Sequence, residues 1–340
     1  MTILVTGGCG YIGSHTIVDL LANGYEVISV DNNSRSTTRL LEGAEKIAGK
    51  KVVNYKIDLC DFESVRKIFN SHSIQGIIHF AAFKAVDESV KMPLAYFHNN
   101  LVSQINVLRC VEEFSIPFFV FSSSCSVYGN ADVIPVTEET PLKRAESPYG
   151  RTKQIGEDMI MDVAKTSSTR FVLLRYFNPV GAHPSGIIGE IPYGRPSNLV
   201  PAITQFAAGK LPSLKVYGTD YDTRDGSCVR DFIHVSDIAH AHTLAMDWIS
   251  KENPASNLEI FNLGTGNGVT VLEAISAFEN VSEKKLDYTL ADRREGDVVA
   301  VYANNDKSKK LLKWTPKYSL NDMMKTAWDW EMAMAVKPAI

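Results

Sequence analysis

The feature that most narrows the fold is a run of glycines set between an apolar triplet and a helical pattern. Ile3, Leu4 and Val5 lead into Gly7-Gly8-Cys9-Gly10-Tyr11-Ile12-Gly13, after which Ile17, Leu20 and Leu21 recur at helical spacing. That order reads as strand, tight turn, helix. Gly8, Gly10 and Gly13 match the G-x-G-x-x-G spacing, while Gly7, Gly10 and Gly13 give the wider G-x-x-G-x-x-G. In either reading the missing side chains permit the turn, let backbone N–H groups approach a pyrophosphate at the helix N-terminus, and let helix pack on strand. A glycine motif alone is weak evidence. Here the strand before it, the helix after it, and an acid closing a second strand (Glu26 to Val30, then Asp31) supply the context it needs.

Asp31 follows Gly13 by 18 residues, where a carboxylate accepts hydrogen bonds from an adenosine ribose and repels a 2′-phosphate. NAD is therefore expected rather than NADP, although Arg35 is a guanidinium that would suit a phosphate. The strand and helix alternation continues through 51–57 with Asp58-Leu59, 76–80 with Ala81-Ala82, and 117–121 with Ser122-Ser123-Ser124. Such repetition predicts an α/β fold of the Rossmann type: a doubly wound parallel sheet covered on both faces, with ligands beyond the strand C-termini. Ser124 falls at that edge.

In Ser147-Pro148-Tyr149-Gly150-Arg151-Thr152-Lys153, a phenol and an ammonium stand four residues apart at a predicted helix start. Pro148 suits a first helical turn, and i,i+4 spacing puts both side chains on one face. A cation about 5 Å from a phenol contributes about 3 kcal/mol towards its ionisation at an effective dielectric near 20. An oxidised nicotinamide would add a second positive charge, bringing the phenol towards a range where it exchanges a proton with a sugar hydroxyl. By itself a Tyr-x-x-x-Lys pair is more often an ordinary helix surface, so its weight comes from the nucleotide-binding context.

At 340 residues and 45% hydrophobic content the chain can bury a full core, in two domains or one enlarged one. A net charge of −4 and the lack of a Lys/Arg run argue against nucleic acid as a partner. The opening Met1 to Thr6 has no cationic stretch and breaks at Gly7, and no later apolar run reaches the roughly 18 residues of a membrane span. A cytoplasmic protein without a membrane partner is the expectation. Cys9, Cys60, Cys110, Cys125 and Cys228 form no C-x-x-C pair, and His240 and His242 lie two apart on a predicted helix, so neither a disulfide framework nor a metal is expected.

Taken together, the segments from Thr6 to Gly13, Ser122 to Ser124 and Tyr149 to Lys153 resemble the extended short-chain dehydrogenase/reductases. Asp87-Glu88-Ser89, Arg175-Tyr176-Phe177-Asn178-Pro179, Gly218-Thr219-Asp220-Tyr221, the stretch from Asp225 to Val235, and Arg293-Arg294-Glu295-Gly296-Asp297 carry the resemblance along nearly the whole chain. They point to the branch that inverts C4 of UDP-hexoses. The resemblance implies that Tyr149, Lys153 and Ser124 are catalytic, interconverting UDP-galactose and UDP-glucose through a 4-keto sugar. It implies that Gly7, Gly10, Tyr11, Ile12, Gly13, Asp31, Asn32, Asn33, Ser34, Arg35, Ser36, Asp58, Leu59, Phe80, Ala81, Ala82, Lys84, Asn99, Ser124, Tyr149, Lys153 and Phe177 contact NAD. The UDP-hexose would meet Ser124, Tyr149, Asn178, Asn198, Leu199, Tyr217, Arg230, Arg294, Asp297 and Val301. Arginines suit a diphosphate, and amides and carboxylates suit ribose and sugar hydroxyls. From spacing alone, Arg230 and Arg294 read equally well as salt-bridge partners.

Two positions depart from relatives in the resemblance. Cys125-Ser126 follows Ser124 where 4,6-dehydratases of this fold carry an Asp-Glu pair, which disfavours loss of water. Val301 stands where narrow-specificity epimerases carry a bulky aromatic, which suggests that N-acetylhexosamine nucleotides are also accepted. Dehydratase, decarboxylase or plain dehydrogenase chemistry within the same family is the alternative. Beyond about residue 180, Gly- and Pro-rich segments replace the alternation, predicting long loops in a smaller, mixed α/β substrate domain. The expected partition is 1–178 for NAD and 179–340 for the UDP-sugar, with late segments such as Ile260 to Asn262 able to pack on the first unit. A homodimer through the helices after the fourth strand and through Tyr149 to Ala164 is implied by the resemblance. Leu94, Phe97, Leu101, Ile105 and Leu108 permit it, as they permit an ordinary buried face.

Overall fold

The computed structural model describes residues 1–252, 254, 256–294 and 297–336. Of the expected motif and domain positions, Glu295, Gly296 and residues 337–340 lie outside the described residues. The strands are β1 (Thr2–Thr6), β2 (Glu26–Val30), β3 (Val53–Tyr55), β4 (Gly76–His79), β5 (Phe118–Ser122), β6 (Arg170–Tyr176) and β7 (Asn178–Val180). There follow β8 (Leu214–Tyr217), β9 (Val229–Arg230), β10 (Phe232–His234), β11 (Leu258–Leu263), β12 (Val269–Thr270), β13 (Tyr288–Ala291) and β14 (Ala300–Val301). The first helices are α1 (Tyr11–Ala22), α2 (Thr38–Ala48), α3 (Phe62–Ser71), α4 (Val86–Lys91), α5 (Pro93–Phe97), α6 (Ser103–Glu113) and α7 (Pro148–Ala164). The later ones are α8 (Leu199–Ala207), α9 (Val235–Lys251), α10 (Val271–Ser282), α11 (Asp306–Leu311) and α12 (Leu320–Val336).

Seven strands form one parallel sheet in the order β11-β6-β5-β4-β1-β2-β3. Alternation along β1 feeds two cores at once. Ile3 and Val5 pack with Ile17, Leu20, Ile238 and Met246 under α1 and α9, whereas Leu4 packs with Ile28, Val65, Ile68 and Phe119 under α3 and α6. Burial on both faces explains why these strands read as near-continuous apolar runs. β11, from late in the chain, pairs with β6 so that Asn262 stands opposite Arg175.

Strand order reverses between β4 and β2 around β1, which opens a crevice above the C-terminal ends of β1 and β4, aligned at Thr6 and His79. The second half builds its own core from Val200, Ile203, Val216, Phe232, Phe278 and Met324. Its sheets are short: β10 with β7, β13 with β8, and a mixed trio in which β9 runs antiparallel to β12 and parallel to β14.

Candidate active site

The glycine turn lies where the crevice opens. Gly7 has φ 73°, a conformation that costs a glycine little. A Cβ on Gly13 would lie 2.3 Å from the Gly7 carbonyl oxygen, so α1 approaches the turn as closely as its backbone allows. Gly10 caps α1 without a side-chain acceptor, and the first turn holds no carboxylate. The helix therefore begins with free N–H donors at the positive end of its dipole. Tyr11 donates its hydroxyl to the Gly181 carbonyl at 2.6 Å, tying this helix start to the second half of the chain, and Ile12 packs beside the core.

Asp31, just beyond β2, accepts from Cys9 N at 3.1 Å, Asn33 N at 2.9 Å and Ser36 Oγ at 2.7 Å. Asn32 reaches Asp58 Oδ2 at 3.4 Å, and Ser34 N donates back to Asn32 Oδ1 at 2.9 Å. Arg35 is engaged elsewhere. Its guanidinium forms two hydrogen bonds to Glu88 and sits 3.8 Å from the Phe83 ring centroid. A carboxylate at the ribose position and a clamped arginine fit a dinucleotide with a free 2′-hydroxyl, and oppose one with a 2′-phosphate. Phe80 N and Ala81 N donate to the carbonyl and hydroxyl of Thr6, at 3.1 and 3.3 Å, which places Ala82 at the same strand end. Leu59 is buried, with its carbonyl taken by Asn106 at 2.9 Å. Asn99 lies in the π-turn His98–Val102 and bonds Asn100.

Pro148 occupies the first turn of α7, and Ser147 caps it by accepting from Gly150 N at 3.1 Å. The spacing argument places Tyr149 and Lys153 on one face, and both prove more than nine-tenths buried. Their electrostatics differ from that expectation. The Lys153 ammonium donates to the Ser122 carbonyl at 2.5 Å and lies 4.8 Å from the Phe121 centroid. Burial pulls its pKa down to about 7, opposed by Glu157 one turn along α7. Burial likewise pushes the Tyr149 phenol above its ordinary range; Tyr176 adds to the rise and the Ser124 hydroxyl counters it. Desolvation, not the lysine, dominates the phenol here. Ser124 Oγ accepts from Ser126 N at 3.2 Å and caps the 3₁₀ turn Cys125–Tyr128.

Across the crevice the structure gathers the expected phosphate and sugar residues. Asp297 accepts from Arg294 Nη2 at 2.8 Å and from Arg230 Nη2 at 3.4 Å, while Tyr217 lies 5.9 Å from the Arg294 guanidinium carbon. The salt-bridge reading of both arginines is correct and compatible with a diphosphate role. Arg294 also reaches the Ser197 carbonyl at 3.4 Å, beside Asn198, the N-cap of the helix that Leu199 begins. Asn178 Oδ1 is buried without a hydrogen-bond partner. Phe177 and Val301 share one apolar cluster with Val127, Tyr128 and Ala303.

Three residues escaped the sequence reading. Glu190 Oε1 accepts from Lys84 at 2.7 Å and from Asn198 at 3.2 Å, bridging the two halves. Asp231, fully buried, accepts from Thr265 N, Thr265 Oγ1, Gly266 N and Ala303 N at 2.6–3.1 Å, while its carbonyl takes Asn178 N at 2.9 Å. Glu190 sits in an irregular stretch, and Asp231 is the single residue between β9 and β10, so neither offers a periodic signal. Glu157 is the third, and i,i+4 spacing from Lys153 would have found it.

The profile of the GDP-mannose 4,6 dehydratase family matches residues 4–327. A UDP-glucose 4-epimerase of Bacillus subtilis is 46% identical over 332 residues, covering 97% of this chain and 97% of that protein. A solved UDP-glucose 4-epimerase from Stenotrophomonas maltophila, with bound NAD and formylated UDP-arabinopyranose, is 42% identical, with a TM-score of 0.95 and 99% of each chain covered. Another, from Bifidobacterium longum in complex with NAD+ and UDP, is 42% identical with a TM-score of 0.94, again over 99% of each.

Proposed function

This chain belongs to the UDP-glucose 4-epimerase family, and from that premise we infer that its own residues interconvert UDP-galactose and UDP-glucose through a 4-keto sugar. NAD is the cofactor. Bound NAD supplies an electron-pair acceptor that is restored within each cycle, so no second substrate is consumed. Tyr149 Oη takes the proton of the 4-hydroxyl as C4 is oxidised and returns it when C4 is reduced. Ser124 Oγ hydrogen-bonds the same oxygen, and Lys153 supports the phenolate whenever it is charged. Arg230 and Arg294, held side by side by Asp297, clamp the diphosphate. Asn198, Leu199 and Tyr217 hold the uridine. The hexose itself is held lightly by Asn178 and Val301, so the keto ring turns over and presents its other face.

The buried Tyr149 phenol with the Ser124 hydroxyl beside it, together with Arg230 and Arg294 sharing Asp297, is what supports this reading. Elimination of water is disfavoured, because Cys125 and Ser126 supply no acid pair. Incubating the purified protein with UDP-galactose, without added cofactor, should yield UDP-glucose. An enzyme that stays inert even with NAD restored would end the proposal.

Val301, a small and buried wall residue, supports acceptance of UDP-N-acetylhexosamines as well. Val301→Tyr should remove that turnover and spare UDP-galactose; a wild type that never turns over UDP-N-acetylglucosamine refutes it. A homodimer is supported by exposed Val90, Met92, Leu94 and Ile105 on α4 to α6, with Leu94 82% exposed. A groove of about 930 Å³ flanks them, lined by Phe97, Leu142, Pro148 and Arg151. Leu108 instead faces the core. A second copy would cover this apolar area, and sedimentation reporting a monomer would exclude it. Free thiols at all five cysteines support a cytoplasmic location, and among the described residues no helix is long and apolar enough to cross a membrane. The partition into 1–178 and 179–340 serves the cofactor and substrate respectively, with α9 and β11 returned to the first unit.

A further inference from the structure

Arg175 belongs to a motif of the chain yet touches no residue expected to hold either ligand's phosphates. It is buried, and its guanidinium grips the equally buried Glu157 with two hydrogen bonds, at 2.9 and 2.6 Å. Replacing such a pair with apolar residues is often neutral for stability or better, so fold stability alone does not explain it. Its neighbours do.

Ser123 Oγ donates to Glu157 Oε1 at 2.5 Å, and Arg175 Nη1 donates to Tyr128 Oη at 3.1 Å. Ser124 is thus bracketed: the residue before it is tied to Glu157, and the turn after it is tied to Arg175. Tyr149, Lys153 and Glu157 fall at i, i+4 and i+8 on α7, so the same carboxylate anchors the helix that carries the phenol. The network extends outward, for Tyr128 Oη donates to Asn262 Oδ1 at 2.6 Å and Asn262 Nδ2 to the Val136 carbonyl at 3.1 Å. Val136 N in turn donates to the Tyr302 carbonyl at 3.0 Å, next to Val301.

We propose that the Glu157–Arg175 pair is a positioning device that sets the relation of Ser124 to Tyr149 and Lys153. It rests on the epimerase reading and deepens it. Glu157 is also the group that opposes the fall in Lys153's pKa. The others facing that ammonium are the Ser122 carbonyl, the Phe121 ring, and His79 on β4, which burial keeps neutral.

The test compares wild-type holoenzyme with the double variant Glu157→Gln/Arg175→Met, which removes both charges of the pair together and leaves Lys153 able to shed its proton. We expect a Tm near that of wild type, an unchanged KM for UDP-galactose, and a kcat lower by about 10- to 100-fold. The alkaline fall of kcat should move to lower pH, because Lys153 loses the carboxylate that keeps it charged. A folded double variant with wild-type kcat and pH profile overturns the inference. Should that variant fail to fold, Ser123→Ala decides: it keeps both charges, and kcat should drop about fivefold or more with KM and Tm unchanged, whereas an unaltered kcat overturns the inference. A wild type inert towards UDP-galactose overturns the functional reading itself, and this inference with it.

Discussion

The two walls of the crevice are built differently. On one side, the glycine-turn backbone and a few strand-end groups such as the Asp31 carboxylate sit at the ends of β1, β2, β3 and β4, in a sheet whose register aligns those ends. On the opposite side, two-residue strands such as β9, β12 and β14 lie among irregular backbone organised by carboxylates: the buried Asp231 holds the amides of Thr265, Gly266 and Ala303, and Asp297 holds Arg230 and Arg294. Backbone recognition tolerates changes in many side chains but fails at a glycine; side-chain recognition fails when a single supporting carboxylate is lost.

Tyr149 stands at the seam between the walls, and the largest effect should come from it. Tyr149→Phe should lower kcat by about 10²- to 10⁴-fold with UDP affinity nearly unchanged; full turnover by this variant would place the proton transfer elsewhere. Asp231→Ala strips the partners from the Thr265, Gly266 and Ala303 amides. Each orphaned amide costs about 1–3 kcal/mol, so calorimetry should record a clear loss of Tm, and titration weaker UDP binding with NAD content retained. Loss of NAD instead would show that the two walls are not separable. Gly13→Ala is the mirror test: a Cβ placed 2.3 Å from a carbonyl oxygen costs about 1–3 kcal/mol of overpacking. The bound-nucleotide absorbance of the purified protein should fall while UDP affinity holds.

A further expected effect concerns pH. Lys153 titrates near 7 when folded and near 10.5 when unfolded. Below pH 7 it is charged in both states and its burial penalty is constant. Between 7 and 10.5 the unfolded chain holds the extra proton, so this group makes stability rise with pH, by up to about 1.4 kcal/mol per pH unit. Cofactor-free Lys153→Met should lack that rise in a comparison of Tm at pH 7 and pH 9. An identical slope in both proteins would mean that Lys153 stays protonated.

The contrast between walls also explains what could be read in advance. The glycine turn, Asp31 and the strand-end residues Ala81 and Ser124 follow from local patterns, because a parallel sheet repeats one period. Arg230, Arg294 and Asp297 came through resemblance, since nothing in their spacing says that two distant arginines share one carboxylate. Asp231 stood within a recognised motif without a role of its own, and Glu190 gave no signal: the amides that Asp231 holds begin 34 residues away and Lys84 lies 106 residues from Glu190. The i,i+4 spacing rightly put Tyr149 beside Lys153, but it carries no information on burial, and burial reversed the expected direction of the phenol's pKa.

The claim at the centre is that C4 loses and regains its own hydrogen within one active site. UDP-galactose labelled with deuterium at C4 should give UDP-glucose with the label kept at C4 and no reduced nicotinamide accumulating in solution. Product whose C4 deuterium has been lost to water would contradict it.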